Sequence, residues 1–152
     1  MPVISLSRAI VANCSGVDNF NVPTDLPSDL AVLDLSSNRY LRSLQAEDFH
    51  HYPDLKYILM QGNVIRDISA DVFQNLTRLE IVDLSGTTFE QREIPEFFAG
   101  VGNLRQVIGL HANEIHENMF NGLERLGIVT LTIDAPTVPE MLFEVSVNLR
   151  WR

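Results

Sequence analysis

The sequence predicts an α/β solenoid: stacked turns with a curved parallel β-sheet on the concave side and short helices or loops on the convex side. Three observations carry this reading. Leucines recur at Leu30, Leu55, Leu79, Leu104, Leu126 and Leu149, at spacings of 25, 24, 25, 22 and 23 residues. The same apolar pattern follows each of them. A phenylalanine closes each unit, at Phe49, Phe73, Phe98, Phe120 and Phe143, at spacings of 24, 25, 22 and 23 residues. A unit of this length cannot bury its apolar face alone, so stacking against neighbours supplies the core.

The elements follow in order. Leu30 leads to Leu33, Leu35, Asn38, Leu41 and Leu44, and Leu55 leads to Ile58, Met60, Asn63, Ile65 and Ile68. Leu79 leads to Val82, Leu84, Thr87, Phe89 and Ile94. Leu104 leads, one residue late, to Ile108, Leu110, Asn113 and Ile115, and Leu126 leads to Val129, Leu131 and Asp134. Two apolar residues two apart place their side chains on one face of a short strand. Three residues later comes a corner. Asn38, Asn63 and Asn113 bring both a donor and an acceptor there, so one side chain can serve the backbone of two turns. Thr87 and Asp134 occupy the same column, and an ionised Asp134 has no proton to give. Pro136 and Pro139 stand where the fifth return begins. Residues 30–149 thus form about five repeats, with the truncated start of a sixth at 149–152.

Composition narrows the function. The chain has 152 residues, with 11 Lys and Arg against 20 Asp and Glu, a net charge of −9. That balance disfavours nucleic acid and a polybasic membrane-surface mode. No run of apolar residues is long enough to span a bilayer. The N-terminus does not read as a signal peptide, because Arg8 interrupts a patchily apolar stretch. The single cysteine, Cys14, excludes an internal disulfide framework and a cysteine-rich zinc site. His111, Glu114, His116 and Glu117 cluster without His-Glu-x-x-His spacing, and no serine sits in a Gly-x-Ser-x-Gly turn. The expectation is no enzyme, no cofactor and no metal.

Side chains flanking the buried strand pairs point to the concave face. The first column read this way is Val32, Tyr57, Ile81, Val107 and Ile128. The second is Asp34, Leu59, Asp83, Gly109 and Thr130, and the third is Ser36, Gln61, Ser85, His111 and Thr132. An apolar column on an exposed sheet marks a binding stripe. Tyr57, Leu59, Ile81, Asp83, Asp34, Val32, Gln61 and His111 are the candidate ligand-binding residues. Asp34 and Asp83 would add negative charge there and favour a basic or mixed protein partner over an anionic lipid. Two N-glycosylation triplets occur, at Asn13-Cys14-Ser15 and Asn75-Leu76-Thr77.

The segments LAVLDLSSN, Leu30 to Asn38, and DVFQNLTRLEIVDLSG, Asp71 to Gly86, resemble the leucine-rich repeat family in its animal extracellular form. The wording is similar to Toll-like receptor ectodomains, over about residues 12–149. Cys14, Val22-Pro23 and Leu26-Pro27 are similar to the end of that family's N-terminal cap, so residues 1–29 read as a cap, partial or divergent. The resemblance implies a non-enzymatic extracellular recognition module from the N-terminal part of a longer, membrane-anchored or secreted protein. Its partner would be a protein or a microbial ligand, met in innate immunity or development. Signalling would proceed by receptor dimerisation, with no membrane contact by this segment. A matrix or cell-adhesion protein and an intracellular scaffold are the alternative readings.

Overall fold

The computed structural model describes residues 8–91, 95–111, 119–134 and 142–148. Ile94, Asn113, Ile115, His116, Pro136, Pro139 and residues 149–152 lie outside them.

Alternation of buried and half-exposed side chains makes each Leu-x-Leu segment a strand. In chain order the elements are β1 (Ile10–Asn13), β2 (Leu30–Asp34), β3 (Ser43–Leu44), a 3-10 turn (Ala46–Phe49), β4 (Tyr57–Leu59), β5 (Val64–Ile65) and β6 (Asp67–Ile68). There follow β7 (Ile81–Asp83), β8 (Thr88–Phe89), β9 (Gln106–His111), β10 (Ile128–Asp134) and β11 (Leu142–Asn148). The main sheet has seven strands in the order β1-β2-β4-β7-β9-β10-β11. Every neighbouring pair from β1 to β10 is parallel. The returning segments pair in two small parallel ribbons, β3 with β6 and β5 with β8.

The buried register is continuous. Leu33, Ile58, Val82, Val107 and Val129 face inward from neighbouring strands, each at most 2% exposed. Leu30, Leu55, Leu79, Leu104 and Leu126 precede them and are buried as well. One core therefore runs the length of the solenoid, and no turn contains its own.

The corner column is a hydrogen-bond ladder. Asn38 Nδ2 donates to the carbonyls of Leu35 at 2.8 Å and Cys14 at 2.8 Å. The backbone N–H of Asn38 donates to Asn63 Oδ1 at 2.8 Å. Asn63 Nδ2 donates to Leu35 O at 3.0 Å and Met60 O at 3.2 Å, and its N–H donates to Thr87 Oγ1 at 3.2 Å. The Thr87 hydroxyl in turn donates to Met60 O. These groups are buried, and an unpaired buried polar group is costly. In Asn63→Ala the Leu35 and Met60 carbonyls keep their bonds to Asn38 and Thr87, and the Asn38 N–H loses its acceptor. The expected cost is about 1–3 kcal/mol, read from the urea midpoint. Asn63→Thr offers a hydroxyl of the Thr87 kind and should lose less. If the two variants unfold alike, the ladder is not what holds this corner.

The phenylalanines form a spine behind the ladder. Phe49, Phe73 and Phe98 are at most 1% exposed. Ring centroids are 5.7 Å apart for Phe49–Phe73, 5.8 Å for Phe73–Phe98 and 6.2 Å for Phe98–Phe120. Phe120 is half-buried. Phe97 joins the spine, fully buried and 4.5 Å from Phe98. Phe143 is placed differently along the backbone. It lies on β11, which runs antiparallel to β10 and pairs Phe143 with Ile133. Length accounts for the reversal. β10 ends at 134 and β11 starts at 142, leaving seven residues (142 − 134 − 1), whereas β2 and β4 are separated by 22 (57 − 34 − 1). A parallel crossover needs about a dozen residues or more.

At the N-terminal end, β1 extends the sheet and covers the first turn. Val22 is buried there, and the Tyr52 hydroxyl donates to Pro23 O. Burial raises the Tyr52 pKa above its ordinary value.

Candidate functional site

Strand register fixes which side chains share the concave face. Val11, Val32, Tyr57, Ile81, Gln106 and Ile128 make one column. Asn13, Asp34, Leu59, Asp83 and Ile108 make the next. Val32, Tyr57, Leu59, Ile81 and Ile108 are half-buried, and Ile128 is 43% exposed. Neighbouring strands thus bring apolar surface together without sending it into the core.

The fourth strand corrects the register read from sequence. Val107 points into the core at 0% exposed, and Gln106 takes its place on the concave column. Ile108, expected inside, pairs with Asp83 on the concave side. The cause is a β-bulge. Val129 pairs with Val107 but Leu131 pairs with Leu110, so β9 carries one extra residue within the strand. Gly109 sits in that bulge at φ +72°, and it is buried.

The two aspartates keep their column and also bond to the backbone. Asp34 Oδ1 accepts the Ser36 N–H at 2.9 Å, and Asp83 Oδ1 accepts the Ser85 N–H at 2.9 Å. Asp83 Oδ2 accepts Gln61 Nε2 at 2.6 Å, and Asp83 is only 8% exposed. The Gln61 N–H donates to Ser36 Oγ at 3.1 Å. These carboxylates fasten strand ends two residues on, which is the Asx-turn habit of aspartate. Asp34 remains half-buried on the sheet, whereas Asp83 is nearly covered. The spacing Asp-Leu-Ser in both units is the signal that sequence reasoning passed over. His111 is half-buried on β9, and Gln61 is exposed. Thr130 is 7% exposed.

Cys14 is a half-buried free thiol packed against the core edge. Burial, then Asp25 and Asp34, raise its pKa above the ordinary value near 9.0. That holds it as a neutral thiol, a poor nucleophile. Among the described residues, no three His, Cys, Asp or Glu side chains gather as a metal site. No helix among them is long and apolar enough to cross a membrane. On the convex side Asn75 is exposed, with Nδ2 3.2 Å from His50 Nε2. Asn13 is exposed on β1, and its Oδ1 accepts the Ser15 N–H at 3.0 Å.

A parallel sheet of short strands joined by long returns, with an asparagine ladder at one corner, is one recurrent architecture. Residues 28–89 match the leucine rich repeat family. The fold is that of a leucine-rich repeat solenoid. Its repeats are similar to those of Toll-like receptors. Toll-like receptor 2 type-2 of Gallus gallus is 33% identical over 73 residues, 48% of this chain and 9% of that protein. Toll-like receptor 3 of Homo sapiens is 36% identical over 70 residues, 46% of this chain and 8% of that one. A solved Toll–Spatzle complex, described as a molecular hub in Drosophila development and innate immunity, has a TM-score of 0.59 at 13% identity. That match covers 78% of this chain and 16% of the other, and it shows the fold alone. The matched stretch of the solenoid spans less than a tenth of the length of these curated relatives.

Proposed function

We propose that this solenoid is a non-enzymatic extracellular recognition module whose concave sheet binds a protein partner, within a larger receptor of Toll-like type. The observation that carries the reading is the apolar surface shared by Val32, Tyr57, Leu59, Ile81 and Ile108 on one rigid face. Rigid strands present these groups already ordered, so binding loses little conformational entropy. Tyr57 adds a ring for packing and a hydroxyl for orientation. The likeness to Toll-like receptors supports an extracellular setting and a role in innate immunity or development. Signalling by dimerisation of the whole receptor belongs to the same proposal.

A photo-reactive phenylalanine analogue at position 57 in the parent protein tests it. A partner adduct should form from position 57 and not from position 74, which is exposed on the convex side. Adducts from position 74 alone would refute a concave site.

Glycosylation gives a separate check on the setting. Asn75 stands in an exposed turn and Thr77 is exposed two residues on. Expressed through a secretory pathway, the protein should lose about one glycan's mass on treatment with an N-glycosidase. Asn75→Gln should remove that shift, and Asn13→Gln should leave most of it, because Asn13 lies in a strand with its amide oxygen already engaged. No shift in the parent would argue against Asn75 as an acceptor.

A further inference from the structure

We infer that the rim where β7, β9 and β10 begin is a docking groove for an acidic, apolar segment of a partner protein. This rests on the concave reading and names the chemistry of its occupant. The groove is open, about 630 Å³ in volume, and Glu80, Ile81, Arg105, Arg125, Gly127 and Ile128 line it. Its apolar wall is the end of the concave stripe, where Ile128 is 43% exposed.

Its charge is the reverse of the chain's. The protein carries a net −9, yet the groove has two guanidinium groups against one carboxylate. One turn earlier the rim is neutralised, because Arg78 pairs with Asp54 at 3.0 Å. Arg105 and Arg125 are exposed and form no ion pair among the described residues. Arg125 is steadied by donating to Asn103 Oδ1 at 2.8 Å. Beyond roughly 8–10 Å the surrounding negative charge is screened at physiological salt, so these local cations decide what approaches. A guanidinium pairs best with a planar carboxylate, and Ile81 and Ile128 call for an aliphatic neighbour beside it.

The glycine opens the space. Gly127 follows the backbone ladder in which Glu80 bonds to Lys56, Arg105 to Glu80 and Gly127 to Arg105. It stands where its column otherwise carries long charged side chains, and a Cβ there would meet nothing within 4 Å. A side chain at 127 therefore fills the groove without disturbing the fold.

The test uses a fluorescent peptide alternating glutamate and leucine, its lysine-for-glutamate counterpart, and a heparin oligosaccharide. The acidic peptide should bind the chain more tightly than the lysine peptide, and more weakly as salt rises. The double variant Arg105→Glu with Arg125→Glu should weaken it by about tenfold or more, and Arg105→Gln with Arg125→Gln by less. Gly127→Trp should block it while melting as the parent does. Arg42→Glu, on the ribbon side, should change nothing. Equal binding of both peptides, insensitivity to the arginine and Gly127 variants, or binding of heparin alone would overturn the proposal. If the peptide fails while a concave adduct from position 57 still forms, the groove falls and the concave reading stands.

Discussion

Phe73→Ala should cost about 3–5 kcal/mol, the range for truncating a fully buried aromatic. The ring is 0% exposed and stands in the middle of the spine, within 5.7 Å of Phe49, 6.1 Å of Phe97 and 5.8 Å of Phe98. Truncation leaves a cavity between three consecutive turns, and repeats that contact only their neighbours cannot close it from elsewhere. The urea midpoint should fall accordingly. Phe73→Leu keeps most of the volume and should recover a large part of the loss. A parent-like midpoint for the alanine variant would mean that the return segments do not share one core.

Gly109→Ala should be nearly as severe. Its Cβ would lie 2.4 Å from Ser85 Cα and 2.7 Å from Ser85 N. Those are backbone atoms of the neighbouring turn, so no rotamer change relieves the clash. The φ of +72° adds the left-handed penalty of about 1–2 kcal/mol. With about 1–3 kcal/mol for overpacking, the expected loss is about 2–5 kcal/mol. Gly102→Ala is the control, since a Cβ there meets nothing within 4 Å. Equal melting of the two variants would show that β7 and β9 are not packed this closely.

Gly109 also marks where the sequence was legible and where it was not. The spacing of leucines and phenylalanines specified the stack, because a core shared between turns leaves the same imprint on each. The asparagine column was legible for the same reason. The extra residue of the fourth unit showed itself only as a late Ile108, and spacing alone does not say whether an insertion lies before a strand or within it. The bulge decides that, and it sets Gly109 against Ser85, 24 residues away in sequence (109 − 85) but adjacent in space. The assignments before the bulge exchanged faces with it, Gln106 and Ile108 for Val107, whereas after it Leu110 stays inward and His111 stays beside Thr132. Phe143 misled differently: it kept the period of the spine while the connection before it became too short for a parallel return. The burial of Asp83 and the backbone bonds of Asp34 and Asp83 were not legible, because neither is visible in residue type. Arg105 and Arg125 left no imprint on the strand pattern, because they stand just before β9 and β10.

The most direct test of the central claim, that the concave face is the recognition surface, is equilibrium binding of the partner found by crosslinking to a double variant, Tyr57→Glu with Leu59→Glu. Both side chains are half-buried on the sheet and neither belongs to the inward column, so the far-UV spectrum and melting temperature should stay near those of the parent. Binding should weaken by at least about 2 kcal/mol, roughly thirtyfold. The same two charges placed on the exposed convex surface, by Ala70→Glu with Gln74→Glu, should leave it unchanged. Full affinity in the concave variant, with loss in the convex one, would contradict the account.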